Sequence, residues 1–165
     1  MTDEAYKAKE WLERLGELYA RAEKIEKELC IIADRLNKAV INYENAGSGK
    51  ADLMIRQQQH EDALISYSDK KAQCERAYLK FVKEEFITID VFESMRNKTH
   101  VALLFDRYIN RMTWQDIIKL KKYELKYTQL HRHHRKALEE LAAVLPSEEP
   151  RAIRAIDERF RKLIK

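Results

Sequence analysis

The feature that most constrains this chain is an apolar seam that begins near its N-terminus. From Trp11 to Tyr43, apolar side chains recur at steps of three and four residues without a break. Such spacing is typical of helices that pack side by side in coiled coils. It predicts a helix of about 40 residues, close to 60 Å long at about 1.5 Å per residue, which needs a partner along its apolar stripe.

The segment that follows is the partner we predict for this helix. A turn at Ala46–Lys50 carries two of the three glycines in the chain, and a second helical pattern comes after it. We therefore expect residues 8–43 and 51–86 to form a long, antiparallel, coiled-coil-like helical hairpin. The expected seam of the second helix consists of Met54, Ile65, Ala72, Leu79, Val82 and Phe86. Polar residues interrupt this seam, so we expect the hairpin to pair with a second copy in a homodimer.

The composition favours an all-α fold and excludes several classes of protein. Gly and Pro number only 3 and 2, whereas 36% of the residues are charged. No apolar run approaches the roughly 20 residues that span a bilayer, and the acidic residues Asp3 and Glu4 do not resemble a signal peptide. We therefore expect a cytoplasmic protein without membrane contact. Cys30 and Cys74 form no CxxC pair, which predicts neither a metal site nor a disulfide.

The net charge of +4 conceals a strong asymmetry along the chain. Residues 1–95 carry a net charge of −4, whereas residues 96–136 hold 11 Lys or Arg against 3 Asp or Glu, a net charge of +8. Residues 137–165 are balanced, with 6 of each sign. A local excess of this size suits a polyanion such as nucleic acid. A solvated basic face without any partner is the alternative explanation.

The remaining sequence predicts several shorter helices. One is expected near Ile89–Met95 and another ends near Asn110. Thr113 and Asp116 have the spacing of a capping box, which predicts a helix from Trp114. After a turn over 122–126, a further helix is predicted whose buried side holds Tyr127, Leu130, His134, Ala137, Leu138 and Leu141. Pro146 and Ser147 then predict the start of a separate amphipathic helix.

These elements suggest three functional divisions: a helical hairpin over 1–88, a helix-turn-helix over 89–145 and a C-terminal amphipathic helix over 146–165. In a helix-turn-helix, the second helix enters the major groove with its first turns closest to the bases. Residues expected to contact DNA are Thr113, Gln115, Lys119, Lys121, Lys126, Thr128, Gln129, Arg132, His133, Arg135 and Lys136. Thr128, Gln129 and Arg132 are the expected base readers, because their side chains match base edges. The lysines and Arg135 are expected to contact phosphate, as are the N–H groups at Trp114.

Two segments also resemble a known family. RYINRMTWQDI from Arg107 and TQLHRHHRKAL from Thr128 are similar to phage-encoded late-gene transcription regulators of the RinA/ArpU type. The C-terminal half of that family looks like the DNA-binding fourth region of bacterial sigma factors. The resemblance implies an activator of phage late genes that binds double-stranded DNA in a bacterial nucleoid, with RNA polymerase as a further partner. The chain departs from the pattern at Ile118, at Lys126 and in a longer turn between the two helices.

The sequence gives no sign of catalysis or of a cofactor. His131 and His134 have a spacing that could share a metal, but no Cys or carboxylate nearby completes a site. Asp116 serves as a cap, and no nucleophile is paired with a base. The glycine-rich turn follows a helix, whereas a phosphate-binding loop follows a β-strand. We expect no enzyme. Two other functions stay open: a phage small-terminase-like packaging protein, and a coiled-coil module that binds host polymerase.

Overall fold

The computed structural model describes residues 2–44, 50–120, 123 and 126–163. Within these ranges the protein is all-α, as predicted, and no residue lies in a strand. The helices are α1 (Asp3–Glu44), α2 (Lys50–Glu93), α3 (Lys98–Leu104), α4 (Trp114–Lys119) and α5 (Tyr127–Leu163), and a π-helical turn (Phe105–Ile109) follows α3. None of the described helices is long and apolar enough to cross a membrane.

The chain forms two compact units. The first comprises Met1–Glu17 and Phe81–Lys165, and the second comprises Leu18–Lys80. These limits differ from the divisions after residues 88 and 145 that the sequence suggests, which stay a prediction about function.

The two long helices confirm the helical prediction for residues 8–43 and 51–86. The turn predicted at residues 46–49 lies outside the described residues. The prediction of a separate short helix at Ile89–Met95 is wrong, because α2 continues to Glu93. Ile87, Val91 and Phe92 are all buried on this extension, so burial of its apolar face holds the last turns of α2 in helical form.

In the second unit, side chains of α1 and α2 contact each other. The Lys70 Nζ contacts the Glu28 carboxylate at 2.8 Å, and the Tyr78 hydroxyl donates to Glu26 at 2.5 Å. The Lys70 hydrogen bond and charge lower the pKa of Glu28, whereas the bond to Glu26 and burial raise the pKa of Tyr78 to about 12.

The predicted seam of α2 is wrong in its exposed members. Met54 is 73% exposed, Ile65 61%, Leu79 49% and Phe86 46%. A row of buried or half-buried side chains recurs instead at steps of three and four residues: Leu53, Arg56, His60, Ala63, Tyr67, Lys70, Cys74 and Ala77. Tyr78 and Ala72, the latter from the predicted seam, are half-buried beside this row. This row mixes apolar residues with long amphipathic ones, whose aliphatic stems can cover apolar surface. A search for apolar periodicity alone therefore selects the wrong face of the helix.

The core of the first unit joins the start of α1, the end of α2 and both halves of α5. Its buried members include Leu12, Phe92, Met95, Leu138 and Ile156. At about 25 cal/mol per Å² of apolar surface, burial of side chains of this size is the main term that stabilises the unit.

The prediction of a separate C-terminal helix over 146–165 is also wrong. α5 runs without interruption from Tyr127 to Leu163 with Pro146 and Pro150 inside it. Both prolines are exposed, so carbonyl groups that lose their helical partners can be solvated. Ser147 does not cap a new helix, because its hydroxyl donates to the Val144 carbonyl (3.0 Å). Leu141 and Ile156 enter the same core from either side of the prolines, and this shared burial outweighs the local preference for a break.

Candidate nucleic-acid interface

The first element of the candidate interface is the start of α4. The Thr113 hydroxyl oxygen accepts a hydrogen bond from the Asp116 N–H (3.2 Å), and the Asp116 carboxylate accepts one from the Thr113 N–H (3.3 Å). The predicted capping box is thus confirmed, and the hydrogen bonds from Thr113 hold the pKa of Asp116 below its usual range. A phosphate at this short helix start would meet the charge of the Asp116 carboxylate. The structure therefore gives no support to the phosphate site expected at Trp114.

The second element is the start of α5. The Gln129 side-chain oxygen accepts a hydrogen bond from the backbone N–H of Lys126 (3.0 Å), which is half of a capping box. Lys126 has no hydroxyl to supply the other half. Because Gln reads adenine through its oxygen and its nitrogen together, Gln129 would have to exchange this bond before it could read a base.

A small apolar cluster holds these two helix starts together. Leu103 of α3, Ile117 of α4 and Leu130 of α5 are each about 1% exposed and pack against one another. Trp114 and Ile118 lie half-buried beside them, so the predicted inner face of α4 is confirmed. The cluster fixes α4 against the first turn of α5.

The first three turns of α5 have one buried and one exposed face. Leu130, His134, Ala137, Leu138 and Leu141 are buried as predicted. Tyr127 was expected among them but is 54% exposed, and its ring packs on His131 with a centroid distance of 4.4 Å. The helix begins at Tyr127, so this residue has no preceding turn to hold it over the core.

Most of the predicted contact residues lie on exposed surface. The exposed members are Thr113, Gln115, Lys119, Lys126, Thr128, Gln129, Arg132, Arg135 and Lys136. Arg135 pairs with Glu139 (3.2 Å), and Lys119 lies 3.9 Å from the Asp116 carboxylate. Among the described residues, Arg132 and Lys136 have no ion-pair partner. Their charges are therefore available to an external anion.

Two of the predicted contact residues are not among those on the exposed surface. Lys121 lies outside the described residues. His133 is half-buried, with its ring 6.1 Å from the ring of His100, and its Nδ1 is buried without a hydrogen-bond partner in the described part of the chain. His133 therefore faces the body of the unit more than the exposed surface of α5.

Behind the exposed face, His134 forms part of an aromatic layer. Its Nε2 lies 3.1 Å from the Tyr108 hydroxyl, and its ring lies 4.8 Å from that of Trp114. Burial, followed by the nearby His131, Arg107 and Lys9, lowers the pKa of His134 to about 4. His134 is therefore neutral at pH 7, and it adds no charge to the basic surface.

Glu140 anchors α5 against the start of α3, and sequence reasoning missed this role. Its carboxylate accepts hydrogen bonds from the backbone N–H groups of Arg96 (2.8 Å) and Asn97 (2.9 Å) and from His100 Nδ1 (2.6 Å). Burial acts to raise the pKa of Glu140, but these hydrogen bonds outweigh it and the pKa falls below its usual range. Asn97 also caps α3 through its side chain. No signal in the sequence links Glu140 to these partners, which lie 40 to 44 positions away.

Within the part of the chain that the structure describes, no group of three or more His, Cys, Asp or Glu side chains is arranged to hold a metal ion. Comparisons of the chain with family models, with curated proteins and with solved structures each give no match.

Proposed function

We propose that this protein is a sequence-specific transcriptional regulator that binds double-stranded DNA. In this proposal, α4 and α5 act as a helix-turn-helix, and the segment Tyr127–Leu141 of α5 enters the major groove. One observation carries the proposal: the exposed face of the first turns of α5 bears Arg132, Arg135 and Lys136. No Asp or Glu occurs from Tyr127 to Lys136, so nothing on these turns repels phosphate.

The charge distribution along the chain supports the same proposal. The net charge of +8 over residues 96–136 coincides with α3, α4 and the first turns of α5. A positive surface of this kind raises the rate of encounter with DNA and supplies affinity that depends on salt. The similarity to RinA/ArpU-type regulators adds phage late-gene activation, a cytoplasmic location on the nucleoid and contact with RNA polymerase to the proposal.

The antiparallel pair formed by α1 and α2 would act as the dimerisation element. A dimer with two-fold symmetry would present two copies of α5 to two half-sites, which typically lie about 10 base pairs apart centre to centre. The apolar side chains left exposed on α2 are the surface that we assign to the second copy.

The test is selection of random duplexes with the purified protein, followed by sequencing and by fluorescence anisotropy on the selected site at several salt concentrations. We expect one shared motif and an affinity that falls steeply with salt. The double variant Arg132→Ala with Arg135→Ala should weaken binding by about a hundred-fold or more. Its control is Arg159→Ala, an exposed arginine farther along α5, which should change little. Selected fragments without a motif, or equal losses in the variant and its control, would refute the proposal.

A second function is favoured by the apolar exposure in Leu18–Lys80. Ile31, Leu64 and Ile65 are about half exposed or more, at 54%, 49% and 61%. Such surface also suits larger assemblies, as in a small-terminase-like packaging protein, or a protein partner such as host polymerase. Light scattering separates these functions, because a ring of about eight or more subunits would favour packaging and a dimer would favour regulation. Tight duplex binding that responds to salt would argue against a module that binds protein alone.

A further inference from the structure

A cavity of about 320 Å³ opens in the first unit between α1, the π-helical turn, α4 and α5. Four of the residues that line it carry aromatic or imidazole rings: Tyr108, Trp114, His131 and His134. The other three are charged: Lys9, Glu13 and Arg107. We call the space bounded by these seven residues the ring pocket. Small-molecule sites typically have volumes of about 300–1,000 Å³. The volume of this cavity lies near the lower limit, so we expect a small ligand with a single ring.

The walls of the ring pocket suit a planar aromatic body. Trp114 lies 4.6 Å from the ring of His131 and 4.8 Å from that of His134, and Tyr108 stacks on His134 at 5.9 Å. The rings already meet at tilted and edge-on angles, which are the geometries that favour aromatic contacts. A flat ligand ring can contact these walls in the same manner.

The charges of the ring pocket suit a carboxylate. Lys9 pairs with Glu13 at 3.2 Å, so these two charges largely compensate each other. The Arg107 guanidinium lies 5.0 Å above the Trp114 ring and donates one hydrogen bond to the Met112 carbonyl (2.7 Å). A guanidinium has five N–H donors in a planar fork, which matches the two oxygens of a carboxylate. Arg107 is therefore the group that can hold an acid beside an aromatic wall.

His131, which lines the ring pocket, keeps one of its ring nitrogens away from solvent. The Nε2 of His131 is buried, and no group among the described residues forms a hydrogen bond with it.

We infer that the ring pocket binds a small planar aromatic carboxylate, with the acid on Arg107 and the ring against Trp114 and His131. A simple inorganic anion would leave the aromatic walls uncovered, and an uncharged ring would make no use of the Arg107 charge. The ring pocket shares α5 with the proposed DNA contact, but none of its lining side chains is among those expected to contact DNA, and its test requires no DNA.

The experiment is an NMR titration of the full chain with benzoate, followed at the indole N–H of Trp114 and at the ring resonances of His134. The Trp114 signal is assigned by comparison with Trp11→Phe. We expect saturable shifts with benzoate, and binding that is about ten-fold weaker or worse for benzamide, which lacks the charge, and for acetate, which lacks the ring. Bound benzoate should also raise the pKa of His134 from about 4, because it places a negative charge beside the cationic form.

Matched variants locate the site. Lys9→Gln leaves the Glu13 charge uncompensated in the ring pocket and should weaken benzoate binding by about ten-fold, whereas Lys7→Gln, on the exposed side of the same helix, should not. Arg107→Lys keeps the charge but removes the planar fork, and it should weaken benzoate without changing benzamide. The inference is overturned if benzoate, benzamide and acetate bind alike, or if the Lys9 and Lys7 variants cannot be distinguished.

Discussion

Trp114 connects three parts of the first unit through a single side chain. Its ring contacts His131 and His134 of α5, and the Arg107 guanidinium of the π-helical turn lies above it. It also packs against the small apolar cluster of Ile117 and Leu130. The capping box that begins at Thr113 fixes the backbone of the same residue. Packing of the ring and the hydrogen bonds of the capping box therefore both hold Trp114 in the same position.

Replacement of Trp114 by Ala should lower the free energy of unfolding by about 3 kcal/mol, the lower end of the range for aromatic truncation, because the ring is only half-buried. Urea denaturation followed by circular dichroism measures the change. The neighbouring exposed residue supplies the control, since Gln115→Ala should alter the free energy by less than about 0.5 kcal/mol. If the two variants unfold at the same urea concentration, the contacts of the Trp114 ring do not stabilise the unit.

His134 should make stability depend on pH in a defined direction. Its pKa is lowered to about 4 by burial and then by cationic neighbours, whereas an unfolded histidine titrates near 6.5. Between these two values the unfolded chain binds a proton that the folded chain does not, so stability falls as the pH drops from about 6.5 to 4. The loss should approach about 3 kcal/mol at the lower end of this window.

The variant His134→Gln isolates this effect, because it cannot titrate. Denaturation at pH 7, 5.5 and 4.5 should show a steeper loss for the unmodified protein than for the variant. Carboxylates such as Asp116 and Glu140, whose pKa values are lowered, also cost stability in acid. They do so equally in both proteins, so the difference between the two curves belongs to His134. Parallel curves would show that His134 is solvated.

At the scale of elements, the helical content and the start of α4 followed from the sequence, whereas the helix breaks expected before Ile89 and at Pro146 do not occur. The seam of α1 and the capping box at Thr113 are short-range patterns, and the structure has both. The continuity of α5 depends on Leu141 and Ile156 meeting one core from either side of two prolines. The row of buried and half-buried side chains on α2 includes the aliphatic stems of polar residues such as Lys70. A search for apolar residues alone does not detect these stems. Both are tertiary effects that override local preference.

Pro146→Ala tests the continuity of α5. An interior proline removes a helical hydrogen bond and crowds the preceding turn, at a cost of about 3 kcal/mol in a regular helix. Since Pro146 lies inside α5 and is exposed, alanine should raise the free energy of unfolding by about 1–3 kcal/mol, reduced by the greater freedom of the unfolded chain. Ser147→Ala is the neighbouring control. If α5 ended at Pro146, alanine would bring no gain in thermal or urea denaturation.

The exposed face of α5 supplies a second test at this scale, through the different effects of contacts with bases and with phosphate. Arg132→Ala should weaken the selected site by about 1–3 kcal/mol and random DNA much less, because a bidentate pair with guanine discriminates. Lys136→Ala should weaken both alike and reduce the slope of log affinity against log salt by about 0.9. Anisotropy with both duplexes at several salt concentrations measures this contrast. Equal losses for Arg132→Ala on both duplexes would mean that this helix does not read bases.

At the scale of the whole molecule, the two compact units differ in how completely they bury their apolar residues. The unit formed by Met1–Glu17 and Phe81–Lys165 has a continuous core. Among the residues of Leu18–Lys80 whose burial the structure describes, the buried apolar positions are few, Ala22 and Cys74, while Ile65 and Leu79 stay exposed. These two residues are two heptads apart, so they lie on one side of α2 and form an outer stripe at coiled-coil spacing. A surface of this spacing suits a second copy of the same helix.

The outer stripe makes the proposed homodimer testable with one substitution. Ile65→Glu should weaken the dimer by about a hundred-fold or more, because each protomer of a symmetric pair loses a buried aliphatic side chain worth about 1.5–3 kcal/mol. Ser66→Glu adds the same charge one position along, off the stripe, and should leave the dimer intact. Sedimentation equilibrium on the three proteins measures the dissociation constants, and circular dichroism checks that each remains helical. If the unmodified protein is a monomer, or if both variants weaken the dimer equally, the outer stripe is not the dimer contact. The proposed spacing of two DNA half-sites would then have no structural basis.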